Sequence, residues 1–237
     1  MILPSKITED SWFYKKDRYR KQLEPFLGRY YISYSTSSAW GNPMYRGGFL
    51  RQKLMGFPFT TNVYSDFGTW VGESVEKGEI QKNKHDFFGE ENVKKVGRPK
   101  NAEYERLVIL DMGDFVFLGF IDIFVEEEDG VFVGDVKTGG KGKEKEYKSK
   151  DYTQVVLYAH ALEQEGKNIK KTVVLFLERT GSHFSPPLGL TDKQTVIPIE
   201  YSKQRVNYAL NKLEIAAREI AECYAVYNKY FKQDVQE

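Results

Sequence analysis

Apolar positions recur at roughly helical intervals over residues 8–27, where Trp12, Phe13, Tyr19, Leu23 and Phe26 mark one face and Gly28 is placed to end it. The spacing predicts an accessory N-terminal helix. Residues 31–65 mix Ser, Gly and Pro with aromatics, and the serine-rich run 33–38 offers N-caps for a short helix toward Leu54. From Asp66, itself a suitable cap, Trp70, Val71, Val75 and Ile80 predict a second helix, after which residues 81–104 become polar and basic.

The pattern then changes to three β-rich runs, 107–110, 115–125 and 131–136, with turns at Met112-Gly113-Asp114 and Glu128-Asp129-Gly130. A lysine-rich stretch, 141–150, leads into a helix from about 151 to 165 that Gly166 closes. Residues 172–177 are apolar on both faces and read as an interior strand. A loop over 181–194 and an edge strand at 195–201 precede an amphipathic helix at 203–228. Its stripe of Val206, Ala209, Leu213, Ala216, Ile220, Cys223 and Tyr227 is core packing rather than chemistry.

Composition narrows the classes. With 35 Lys and Arg against 34 Asp and Glu, the net charge of +1 neither favours nor excludes a polyanionic partner, so any nucleic-acid case rests on local charge. The one cysteine, Cys223, rules out an internal disulfide and a four-cysteine metal or cluster site. The first ten residues lack an export pattern, and no apolar run approaches a membrane span. The expectation is a cytoplasmic protein with no membrane partner.

Chemistry concentrates in the second and third β runs. If Asp129-Gly130 is the hairpin's two-residue turn, Asp122 lies opposite Lys137, with Asp135 its diagonal neighbour on the same face. Unpaired charge in an apolar sheet costs several kcal/mol, on the order set by desolvation, and a bound cation relieves it. Magnesium suits oxygen ligands and binds through one or two carboxylates plus substrate phosphate; manganese is the expected substitute. A metal there polarises a phosphoryl oxygen and acidifies a water, while Lys137 orients that water or stabilises developing negative charge. On the following helix Gln154 and Tyr158 share a face and can position substrate or ligands. The structural alternative is a buried Asp–Lys ion pair. What favours chemistry is the ordered combination of Gly119-x-x-Asp122, a turn, Gly134-Asp135-Val136-Lys137-Thr138 and Gln154-x-x-x-Tyr158.

This combination resembles the RecB-like branch of the PD-(D/E)xK nuclease superfamily. The resemblance extends to Ile32-Ser33-Tyr34-Ser35, similar to that family's serine-containing entry segment, and to Gly68-Thr69-Trp70-Val71, similar to the start of its first active-site helix. It implies an α/β, restriction-endonuclease-like core with a central mixed β-sheet flanked by helices and extra N- and C-terminal helices. It further implies that Asp122 and Asp135 are metal ligands with the Val136 carbonyl, that Lys137 is the catalytic lysine, and that Gln154 and Tyr158 complete the site. Two departures stand out. Gly72 occupies the place where many relatives carry a metal-binding histidine, and Glu73 or Glu76 is the candidate replacement; ordinary solvated helix charge is the alternative for both. Asn42-Pro43 stands where some relatives show Cys-Pro, which speaks against an iron–sulphur cluster.

Lys141, Lys143, Lys145, Lys148 and Lys150 follow the catalytic strand and are candidate DNA contacts; interspersed Glu144 and Glu146 make a solvated loop the alternative. The cluster Lys94, Lys95, Arg98 and Lys100 divides in the same way. His85, His160 and His183 lack metal-ligand spacing and read as packing or surface residues, and Glu103 and Glu105 as structural, with one of them near the metal as the alternative. Together these readings give one nuclease domain over 1–237: an N-terminal helical extension at 1–30, the core at 31–201 and a C-terminal helix at 202–237. The expected activity is magnesium-dependent DNA hydrolysis, preferably exonucleolytic, in recombination or DNA processing in a bacterial or phage-infected cell. Recombination or replication proteins and a homo-oligomer are the expected partners. The rivals are a catalytically decayed module that binds DNA or a protein, and an endonuclease acting on DNA or RNA.

Overall fold

The computed structural model describes residues 1–58, 61–82, 85–182 and 184–231. His183 and the end of the expected C-terminal segment, 232–237, lie outside the described residues. Two compact units emerge: Met1–Phe59 with Leu107–Gly119 and Asn207–Glu237, and Thr60–Arg106 with Phe120–Val206.

In the first unit the N-terminal helix is short. Thr8 N–H donates to Ser11 Oγ at 3.0 Å, a hydroxyl-closed turn that competes with helix, backbone-closed turns follow to Lys16, and α1 spans only Asp17–Leu23. Beyond β1 (Tyr31–Ile32) the serine reading holds: Ser33 caps α2 (Tyr34–Gly41), accepting from the Thr36 N–H. Asn42 then caps α3 (Pro43–Phe49), which continues through a π-helical turn, Leu50–Leu54. The next strands, β2 (Arg106–Asp111) and β3 (Val116–Ile121), join β1 in a three-stranded sheet of order β1-β3-β2. Arg29 forks onto both Asp111 carboxylate oxygens at 2.8 and 3.0 Å.

The second unit contains α4 (Val63–Lys77). Its cap is Asn62, whose Oδ1 accepts from the Tyr64 and Ser65 N–H groups, so Asp66 lies inside the first turn and bonds His85 Nε2 at 3.1 Å instead. The cap expected at Asp66 is thereby corrected to an earlier residue. Phe67, Trp70, Val71 and Val75 form the apolar face and pack with Phe88, Val93, Leu177 and Leu188.

A four-stranded mixed sheet, β4-β5-β6-β7, comprises β4 (Ile123–Glu127), β5 (Gly130–Gly139), β6 (Ile169–Ser182) and β7 (Ser185–Ile199). Between β5 and the parallel β6 the chain passes through α5 (Glu144–Tyr147) and α6 (Gln154–Gln164). Residues 181–182 and 185–194 of the expected loop are strand: β7 pairs with β6 from Ser185 opposite Ser182 to Ile199 opposite Thr172. Its prolines are tolerated because β7 is an edge strand. Gly181, at φ 74, bends the ladder where a Cβ would collide with the Pro187 carbonyl. The last helix, α7 (Lys203–Phe231), buries Val206, Ala209, Leu213, Ala216 and Ile220, whereas Cys223 and Tyr227 are half-buried.

Candidate active site

The expected continuous strand 115–125 breaks at Asp122, between the end of β3 and the start of β4. The β4–β5 register pairs Ile123 with Gly134 and Glu127 with Gly130, so Glu128-Asp129 is the loop. That shifts the expected register by two residues. Continued one step, it sets Asp122 beside Asp135 rather than opposite Lys137, yet an even slip keeps all three side chains on one face. Asp122 Oδ2 accepts the Val136 N–H at 2.7 Å, fixing the carboxylate against β5.

Asp135 is fully buried. Its Oδ2 receives two charge-assisted contacts, from Lys137 Nζ at 2.7 Å and from the Tyr152 hydroxyl at 2.7 Å. Among the described residues its Oδ1 has no hydrogen-bond partner. On α6, Gln154 Nε2 donates to the Tyr158 hydroxyl at 2.7 Å, while Gln154 Oε1 lies 3.2 Å from the Tyr152 hydroxyl. The chain Asp135–Tyr152–Gln154–Tyr158 ties the helix motif to the strand motif. Tyr147 of α5 packs edge-on against Tyr152 with ring centroids 5.2 Å apart.

On the other side, Gly68, Thr69, Gly72, Glu73 and Glu76 of α4 line a cleft of about 480 Å³ together with Glu105, Asp122, Val136, Lys137 and Thr138. Gly72 has open space where a Cβ would stand. Glu105 adopts φ 53, a conformation costing roughly 1–3 kcal/mol for a non-glycine residue, and strain of this kind concentrates at functional positions. Glu103 pairs with Arg106 at 3.0 Å and bridges Phe124, a structural role.

Burial and the neighbouring Asp135 carboxylate push the Asp122 carboxyl up to about 7, against the opposing pull of Lys137 and the Val136 N–H. Burial pulls the Lys137 ammonium down, but Asp135 and Asp122 outweigh it and hold it above the ordinary lysine value. Burial and Asp135 likewise raise the Tyr158 hydroxyl, so it stays neutral.

Two observations bear on whether a divalent cation fits. The Asp135 Oδ1 acceptor is buried and unpartnered, which costs roughly 1–3 kcal/mol or more, and Asp122 is reluctant to ionise beside it. A cation at this pair would relieve both. Among the described residues no three Asp, Glu, His or Cys side chains form a ready-made cluster, so Glu73, Glu76 and Glu105 line the cleft without closing around the aspartates. Two carboxylates with a backbone carbonyl, water and phosphate are a donor set that suits magnesium.

The five lysines at 141, 143, 145, 148 and 150 are all exposed, with α5 interrupting their run and Lys143 bonded to Glu146 at 2.6 Å. Lys94, Lys95 and Lys100 are also exposed, and Arg98 donates to the Glu76 carbonyl. His85 packs at a tilt against Phe88, with ring centroids 4.8 Å apart, and His160 lies 3.3 Å from Glu163. Sequence reasoning missed Tyr152 and Tyr147. Tyr152 stands two residues before Gln154, so helical spacing from the motif could not find it; it precedes the helix.

The model of the PD-(D/E)XK nuclease superfamily matches residues 68–230. No curated protein matches. A crystal structure of a candidate exonuclease from Eubacterium rectale superimposes with a TM-score of 0.54 at 12% identity, covering 94% of this chain and 88% of that one, which shows the shared fold. The structure of the protein SSO0001 gives 0.38 at 14% identity, over 86% and 85% of the two chains. The family match takes in every one of the motif residues from Gly68 to Tyr158, and the chain belongs to the PD-(D/E)XK nuclease superfamily.

Proposed function

We propose that the protein is a magnesium-dependent deoxyribonuclease, with manganese as a substitute, that hydrolyses DNA phosphodiester bonds from an end. The observation that carries this reading is the buried Asp135 Oδ1, without a partner among the described residues, beside the Asp122 carboxyl. Asp122, Asp135 and the Val136 carbonyl would hold the ion, with a glutamate of Glu73, Glu76 or Glu105 completing its shell through water. When bound, such an ion polarises the phosphate and lowers the pKa of its water.

The chain's own groups do the rest. Lys137 keeps its proton at neutral pH, so it serves as a cation that stabilises charge on the phosphate or holds the attacking water, not as a general base. Tyr152 and Gln154 hold Asp135 and Tyr158 in place. The exposed lysines between 141 and 150 follow the site in sequence and are suited to phosphate contact. Recombination or DNA processing, with replication or recombination proteins as partners and a ring-shaped homo-oligomer, is the setting favoured for such an exonuclease.

Time-resolved cleavage of linear and circular DNA, single- and double-stranded, tests this with magnesium, manganese or EDTA and with Lys137→Ala. Metal-dependent loss of linear DNA alone supports the exonuclease. Cleavage of circles makes it an endonuclease, and tight binding without any cleavage makes it a decayed module.

A further inference from the structure

Between Glu24 and Asp66 the chain has no acidic residue, although it carries Arg29, Arg46, Arg51 and Lys53. In this stretch α3 and its π-helical continuation expose a run of apolar groups: Met44 at 87%, Tyr45 at 62%, Met55 and Phe57. Arg51 and Lys53 are exposed too, and among the described residues neither has a carboxylate within ion-pair distance. The Phe57 N–H returns to the Arg51 carbonyl at 3.1 Å, and the Arg51 guanidinium lies 5.2 Å from the Phe57 ring centroid. A loop residue is thus anchored with its ring beside a cation.

The helix also spends stability without internal return. Gly47 and Gly48 lie in α3, where glycine disfavours helix, yet a Cβ on either would meet nothing within 4 Å. Among the described residues no packing asks for glycine there. The exposed backbone at Gly47 and Gly48, between Tyr45 and Arg51, leaves room for close approach from outside.

We propose that this face binds a single-stranded segment of nucleic acid, with bases stacked on Tyr45 and Phe57 and phosphates held by Arg51 and Lys53. The stretch itself carries only positive charge, with Glu219 of α7 held on Trp40 Nε1 at 2.6 Å, which suits a polyanion at Arg51 and Lys53; exposed rings beside arginine suit unpaired bases, which duplex DNA does not offer. The proposal rests on the nuclease reading only for the identity of the polymer.

The test is fluorescence anisotropy of the full chain with a labelled oligothymidylate in EDTA. Tyr45→Ala with Phe57→Ala weakens binding about thirtyfold or more, the loss of two base stacks. Arg51→Ala with Lys53→Ala weakens it and lowers the salt-dependence slope by about 1.4, the value for two lost single-strand phosphate contacts. Gly47→Ala with Gly48→Ala weakens binding while raising the melting temperature, a combination that a purely structural role does not produce. Turnover of a small ester, thymidine 5′-(p-nitrophenyl phosphate), stays at the wild-type rate in all three variants; wild-type failure on that ester with oligonucleotide binding intact would count against the nuclease reading alone. Unchanged affinity in the aromatic and charge variants overturns the proposal, as does equal or tighter binding of duplex. Variants that change only the sedimentation of the protein reassign the face to contact between copies of the chain.

Discussion

Tyr152 donates its hydroxyl to Asp135 Oδ2 at 2.7 Å, the same oxygen that Lys137 approaches at 2.7 Å. Both donors crowd onto one carboxylate oxygen and leave Oδ1 open. Outer contacts of this kind orient a metal ligand, and removing one costs about 10–100-fold in metal affinity or activity. Tyr152→Phe keeps the ring against Tyr147 and removes only the hydroxyl. It is expected to raise the magnesium concentration needed for half-maximal rate by about tenfold or more, with the fold intact by circular dichroism. A wild-type magnesium dependence would assign Tyr152 to packing alone.

In the proposed site, protonation of Asp122 would compete with cation binding. With its carboxyl pushed up to about 7, affinity for magnesium should climb about tenfold per pH unit below that value and level off above it. The sign for stability is the reverse of the usual carboxylate. The folded, cation-free protein holds the proton more tightly than the unfolded chain, so its stability falls as pH rises from about 4 toward about 7. Added magnesium should cancel that fall. Thermal melts from pH 5 to 8, with and without magnesium, check this; parallel curves would contradict it.

Glu73, Glu76 and Glu105 share the cleft with Asp122, and the proposed site asks one of them to complete a cation's shell. Assayed separately, Glu73→Gln, Glu76→Gln and Glu105→Gln should give one variant with a strongly raised magnesium requirement and two near wild type. Three unaffected variants would remove all of them from the site.

Gly72 lies within α4 with open space around its missing Cβ. Gly72→Ala should therefore stabilise the protein by up to about 1 kcal/mol, the helix-propensity difference, without loss of cleavage. A destabilised variant in chemical denaturation would reveal a packing or approach constraint at this position.

Much of the site could be read from residue order because each motif is local. Asp135-Val136-Lys137 alternates within one strand, and Gln154 and Tyr158 stand one helical turn apart, so period alone puts each pair on a common face. The register was harder. Gly130 invites a turn, but it begins β5 opposite Glu127, and the loop falls one residue earlier. The slip was even, so the face survived the error. The long β6–β7 hairpin was hidden because its glycines and prolines resemble a loop, and only an edge position with a bent ladder accommodates them. Tyr152 could not be found by spacing, since its contact with Asp135 depends on how the segment before α6 returns across the sheet.

The most direct test of a cation-dependent site at Asp135 is titration calorimetry with manganese on the wild type and on Asp135→Asn, paired with cleavage of linear DNA by the same preparations. The asparagine preserves size and can still accept from Tyr152 and Lys137. Loss of both manganese binding and cleavage in a folded variant is the expected result. Cleavage by Asp135→Asn at the wild-type rate, with manganese bound as before, would contradict the site.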